Sequence, residues 1–168
     1  MGRILLADDS PHAQRMGERI LREEGFEVVS LTDGDTVMLR LADVDPDVIL
    51  ADVFLPHRNG YDICRHVKSA VAHRHVRVVL TAGLLEPFDE DEARRAGCDA
   101  ILKKPFEASL VMETINPLVQ EAVLARGLFA EVISEQQTPP EPALEPPPIE
   151  VRDGAPPEID PERVRAAI

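Results

Sequence analysis

Three aspartates stand where apolar runs stop. Asp8 and Asp9 follow Arg3-Ile4-Leu5-Leu6-Ala7, and Asp52 follows Val48-Ile49-Leu50-Ala51. Parallel strands end together at one edge of a sheet, and open α/β folds place their chemistry at that edge. If the two runs are neighbouring strands, the three carboxylates meet. Such a cluster repels itself unless a hard cation joins it, and Mg²⁺ suits it because it takes oxygen ligands and keeps waters for substrate phosphate. The cluster therefore reads as a metal-assisted phosphoryl-transfer site. Two more residues fall at the same edge: Thr81, after Val76–Leu80, and Lys104 with Pro105, after Asp99–Leu102. A hydroxyl can hydrogen-bond a phosphoryl oxygen and an ammonium can neutralise one. A carboxylate nucleophile attacking phosphorus gives an aspartyl phosphate, with a cation offsetting the charge of donor and nucleophile together.

Those residues need five strands and the segments between them. Ile4–Ala7, Phe26–Leu31, Val48–Ala51, Val76–Leu80 and Asp99–Leu102 are short and apolar. Amphipathic segments separate them. Pro11 to Glu24 reads as a helix capped by Ser10 and ended by Gly25. A second helix starts at Thr32 or Asp33 and reaches about Ala42, a third runs from the Asn59 cap to about Val71, a fourth spans roughly Pro87 to Ala96, and a fifth begins near Glu107. The fourth holds Asp89, Glu90, Asp91 and Glu92 at its start and Arg94 and Arg95 near its end, the charge order a helix dipole favours. Five βα repeats with short connections predict a parallel sheet covered on both faces, joined by right-handed crossovers. Asn116-Pro117 late in the fifth helix predicts a kink or break there, or a new helix capped by Asn116. Beyond it Leu118, Ala122, Ala125, Leu128, Phe129 and Val132 lie near helical spacing. This stripe is expected to fold back on its own domain, with a homodimer or partner helix as the alternative.

The chain has 168 residues and a formal net charge of −13, which argues against binding nucleic acid or an anionic membrane non-specifically. Residues 127–168 hold nine acidic and three basic residues and nine of the fifteen prolines. The expected organisation is a domain over 1–126 and an acidic, proline-rich tail or linker over 127–168, extended or disordered from about Glu135 to Glu158. Asp160-Pro161-Glu162 opens like a capped helix, so the chain reads either as the N-terminal piece of a longer protein or as a whole one with a frayed tail. No signal-peptide pattern and no run of the ~18 apolar residues a membrane span needs is present, so a cytoplasmic protein is expected. Cys64 and Cys98 read as two buried thiols. The five histidines, scattered over helix and loop positions, read as surface residues rather than ligands. Tyr61 and Phe106 read as packing residues.

The motifs Leu6-Ala7-Asp8-Asp9-Ser10, Asp52-Val53-Phe54-Leu55-Pro56 with Asn59-Gly60-Tyr61-Asp62, Leu80-Thr81-Ala82 and Lys103-Lys104-Pro105-Phe106 stand in one order across roughly Gly2 to Gln120. In this the sequence closely resembles the receiver domain of bacterial two-component response regulators. The resemblance implies a CheY-like, flavodoxin-like (βα)5 fold with strand order 2-1-3-4-5. It implies that Asp52 accepts phosphate from a histidine kinase or a histidine phosphotransfer protein. It implies Mg²⁺ bound directly by Asp9, Asp52 and the Phe54 backbone carbonyl, with Asp8 acting largely through water. Thr81 would move toward the phosphoryl group and Lys104 would pair with it, Lys103 being the decoy because one step along a strand reverses direction. Signalling would be conformational, not enzymatic turnover on a substrate.

The chain departs from the family in useful places. The switch position on strand five, three before Lys104, is usually aromatic and is Ile101 here. The two positions that tune dephosphorylation in the family are Phe54 and Gly83, neither able to orient an attacking water through a side-chain hydrogen bond, so a long-lived phosphoryl group is expected. Two other readings compete. A haloacid-dehalogenase-like phosphatase needs a second aspartate two residues past its nucleophile, where Phe54 stands. A pseudo-receiver that binds partners without phosphate is kept alive by Ile101.

Overall fold

A computed structural model describes residues 2–136. Strands β1 (Arg3–Ala7), β2 (Glu27–Leu31), β3 (Val48–Asp52), β4 (Arg77–Gly83) and β5 (Ala100–Lys104) form one parallel sheet in the order β2-β1-β3-β4-β5. Helices α1 (Pro11–Glu23), α2 (Gly34–Val44), α3 (Gly60–Ser69), α4 (Glu90–Ala96) and α5 (Ala108–Gln136) alternate with them. This is the doubly wound, flavodoxin-like arrangement expected. Of the tail expected over 127–168, residues 127–136 are instead the last turns of α5, so the extended stretch expected from about Glu135 does not begin there; the rest, including the helix onset at Asp160, lies outside the described residues.

The period-2 alternation of strand side chains explains the two cores. Ile4 and Leu6 of β1, Val48 and Leu50 of β3 and Val79 of β4 face one way, onto α1 and α5. Leu5 and Ala7, Ile49 and Ala51, and Val78 and Leu80 face the other, onto α2, α3 and α4. Strands buried on both faces read as continuous apolar runs, which is why β1, β3 and β4 are central. In β5 only Leu102 is buried, as befits an edge strand.

Side-chain caps set four helix starts. Ser10, Asp33, Asn59 and Asp89 accept hydrogen bonds from the backbone N–H of Ala13, Thr36, Asp62 and Glu92. The last of these corrects the expected start of the fourth helix. It begins at Glu90 rather than Pro87, because the Asp89 cap fixes it and the Tyr61 hydroxyl, 3.0 Å away, accepts the Asp89 N–H. The third helix ends at Ser69, and Val71–His73 forms a separate short turn.

The expected break at Pro117 does not occur: α5 is continuous from Ala108 to Gln136 with Pro117 inside it. Proline at 117 deprives only the carbonyl of Glu113, four residues back, of its helical donor. Glu113 and Pro117 are both solvent-facing, so water can serve that carbonyl, while Ile115, Leu118, Val119 and Ala122 bury the other face on both sides of the proline. Leu118, Val119 and Ala122 thus fold back on the domain, whereas Leu124 and Leu128 remain exposed.

At the sheet edge opposite the aspartates, α5 is fastened by charge. The Arg126 guanidinium donates to both Asp45 and Asp47, at 2.9 Å for Asp47 Oδ1. Asp47 also accepts the Arg3 N–H at 2.9 Å. His75 Nε2 lies 2.9 Å from Asp45 Oδ1, and His75 is buried, against the expectation that all five histidines sit at the surface. Burial alone would raise the Asp45 carboxyl, but Arg126 and His75 outweigh it and hold it below its ordinary value. Cys64 is buried and its thiol is pushed up to about 12 by desolvation, while Cys98 is only partly buried.

Candidate functional site

The register of the parallel sheet brings the acids together. Ala7 pairs with Ala51 across β1 and β3, so Asp8 and Asp52 emerge side by side. Asp52 in turn pairs with Thr81, and Gly83 with Lys104. Thr81 lies inside β4 rather than after it, and Lys104 is the last residue of β5. Both strands run further than the apolar runs suggested, because ladder pairing continues past the last large apolar side chain.

Carboxylate oxygens of Asp8, Asp9 and Asp52 lie within 4.8 Å of one another. Asp8 is fully buried, Asp52 is 2% exposed, Thr81 is buried, and Asp9 faces solvent. Each buried acid is held by donors. Asp8 Oδ1 accepts the Ser10 N–H at 2.8 Å, and Asp52 Oδ1 accepts the Phe54 N–H at 2.9 Å. Lys104 Nζ bridges the two acids, 2.7 Å from Asp52 Oδ2 and 3.1 Å from Asp8 Oδ2. Desolvation raises the Asp8 carboxyl above its usual value, against the Ser10 N–H and Lys104, which lower it. Burial pushes the Lys104 ammonium down, but Asp52 and Asp8 outweigh burial and hold it up, so it stays charged. Lys103 points away, with Nζ 4.8 Å from the centre of the Phe88 ring.

Further residues shape the site. Gly60 begins α3 directly behind Asp52: a Cβ there would lie 2.9 Å from the Asp52 carbonyl oxygen and 3.0 Å from that of Ala51. Gly34 approaches the β3–α3 loop, donating its N–H to the Pro56 carbonyl at 3.0 Å. The carboxylate of Glu86 accepts the Gly83 N–H at 2.5 Å and folds the β4–α4 loop back on itself. Glycine at the first position of a helix was the available signal for Gly34 and Gly60; nothing in the sequence marked Glu86. Ile101 is 38% exposed on β5, apart from the acids. Tyr61 and Phe106 are buried, as packing residues should be.

Residues 4–116 match the model of the response regulator receiver domain. The chain belongs to this family. Its relatives include protein PilG of Pseudomonas aeruginosa, 28% identical over 68% of this chain and 84% of that one. The response regulator PleD of Caulobacter vibrioides is 32% identical over 70% of this chain, but the match spans only 26% of PleD. Among solved structures, the receiver domain of a sensor histidine kinase from Pseudomonas aeruginosa, with a magnesium ion coordinated in its active-site cleft, is 26% identical. It superposes with a TM-score of 0.65 and covers 71% of this chain and 98% of that one. Receiver domains bind Mg²⁺ in an acidic pocket, and this receiver carries a cluster of three aspartates. Among the described residues no helix is long and apolar enough to cross a membrane.

Proposed function

We propose that this receiver is a Mg²⁺-dependent phosphoacceptor with Asp52 as the accepting carboxylate. The observation that carries the reading is the Lys104 ammonium bridging Asp52 and Asp8, with Asp9 alongside. An all-oxygen set of three carboxylates, two of them buried, fits a hard divalent cation. Asp9, Asp52 and the Phe54 carbonyl would hold Mg²⁺ directly and Asp8 largely through water. When bound, Mg²⁺ would supply charge neutralisation for the phosphoryl group in transfer. The chain's own residues do the rest. An Asp52 oxygen attacks the phosphorus of a phosphohistidine on a histidine kinase or phosphotransfer protein. The P–O bond forms, the P–N bond breaks, and the imidazole leaves with the electron pair and takes a proton from solvent. Lys104 shifts from carboxylate to phosphoryl oxygen, and Thr81, beside Asp52 in the sheet, donates its hydroxyl to another.

A beryllofluoride titration followed by NMR tests this. Mg²⁺-dependent shifts at Thr81 and around Asp52 are expected; their absence in the folded protein, or their persistence in Asp52→Ala, refutes it. The phosphorylated protein should be long-lived, since Phe54 and Gly83 offer no side chain to orient a water; a half-life of seconds with Mg²⁺ present contradicts that part. Phe54 also stands where a dehalogenase-like phosphatase needs its second aspartate. The pseudo-receiver reading draws on Ile101 alone.

A further inference from the structure

Beside the β3–α3 loop lies a groove of about 640 Å³ whose floor is Phe54, Tyr61, Pro87 and Phe88 and whose rim is Asp89–Glu92. Phosphoryl chemistry uses the Phe54 backbone, yet its ring is nearly half exposed, at 48%. Tyr61 and Phe88 stand as a tilted ring pair with centroids 6.0 Å apart. The Tyr61 hydroxyl accepts the Asp89 N–H and so ties floor to rim. The floor already carries one cation at its margin, Lys103 over the Phe88 ring. Two of the rim acids have structural work: Asp89 caps α4, and Glu92 meets Arg65 at 3.3 Å. Two do not. Among the described residues Glu90 makes no ion pair, and Asp91 meets only Arg94, at 3.5 Å and with both side chains about three-quarters exposed.

We propose that this groove docks a basic segment of a partner protein, one that lays an aromatic or branched aliphatic anchor on Phe54 and Phe88 and turns lysine or arginine toward Glu90 and Asp91. Aromatic floors give such anchors large contact area, and opposite charge at the rim sets register and partner choice. Charge selects this occupant over the others. A second copy brings a net charge of −13, and the chain's own residues 127–168 carry nine acids against three bases. Nucleic acid and anionic lipid are repelled by the same rim. The proposal goes beyond phosphoryl acceptance and does not require it.

The test uses the unphosphorylated full chain, with neither Mg²⁺ nor donor present. The probe is a synthetic twelve-residue peptide of lysines and leucines around a central tryptophan. One control replaces its lysines by glutamate, another its leucines and tryptophan by serine. Saturable amide shifts centred on Phe54, Tyr61 and Glu90–Glu92 are expected with the first peptide only. E90Q/D91Q, which leaves the cap and the Arg65 pair in place, should weaken binding by about tenfold. The proposal is overturned if the shifts spread over the acidic surface without saturating at the groove. It is equally overturned if the serine control binds as well as the probe, or if E90Q/D91Q, its spectrum otherwise native, binds within about twofold of the parent. Failure here with a normal beryllofluoride response would leave the phosphoacceptor reading intact.

Discussion

Gly34→Ala should be among the most damaging single-methyl substitutions in this receiver. A Cβ at Gly34 would lie 2.0 Å from the Arg58 carbonyl oxygen, 2.7 Å from its carbonyl carbon and 2.6 Å from its Cβ. The obstacle is mostly backbone, so no rotamer change relieves it. The β3–α3 loop must retreat by more than about 1 Å to regain van der Waals contact. That retreat breaks the hydrogen bond from Gly34 N–H to the Pro56 carbonyl, worth about 1 kcal/mol net. Overpacking adds about 1–3 kcal/mol. The exposed Arg58–Asp35 pair adds little, and alanine's better helix propensity returns under about 1 kcal/mol. The expected net loss is about 2–3 kcal/mol, read from urea unfolding followed by circular dichroism. Gly127→Ala is the control. It lies inside α5 with nothing within 4 Å of its would-be Cβ, so it should gain up to about 1 kcal/mol. The reasoning fails if Gly34→Ala costs less than about 0.5 kcal/mol. It also fails if the Phe54 and Asn59 amides keep their chemical shifts, because the clash must displace that loop.

Arg126→Ala should cost about 1–2 kcal/mol at neutral pH by leaving buried Asp47 with fewer donors. It should also flatten the acid limb of the stability profile. Asp45 is depressed in the folded state, so its contribution is present above its unfolded pKa and lost as pH falls through the folded one; a variant with an unchanged acid limb would contradict this. We propose that the folded unit extends to Arg126: a fragment ending there should unfold like the full chain. One ending at Asn116 loses the burial of Leu118, Val119 and Ala122, on the order of 4 kcal/mol, and equal urea midpoints for the two would refute the boundary. Sedimentation of the Arg126 fragment against the full chain tests whether exposed Leu124 and Leu128 make a dimer; a mass independent of concentration in both excludes one. With its thiol pushed up to about 12, Cys64 should resist a thiol reagent at pH 8 until the protein unfolds, while half-buried Cys98 reacts first.

The sheet and the acid cluster were legible because both follow from short-range rules. Apolar runs mark central strands, and polar residues at their ends mark one edge. What escaped was of two kinds. The Arg126–Asp45–Asp47–His75 cluster joins residues up to 81 positions apart, with no period to announce it. It explains why a histidine that read as a surface residue is buried. Pro117 misled for a different reason. The local rule is sound, but the carbonyl it orphans faces solvent and tertiary burial on the other face holds the helix through it.

The lysine bridge has a consequence for ion valence. Three carboxylates against one ammonium leave the resting pocket with a net charge of −2, which one divalent cation would neutralise. Remove the ammonium and the same three acids match a trivalent ion instead. Lys104→Ala should therefore move the pocket's preference from Mg²⁺ toward a lanthanide, with the carboxylates untouched. On this count Lys104, through its charge alone, would set the valence of the ion the pocket prefers.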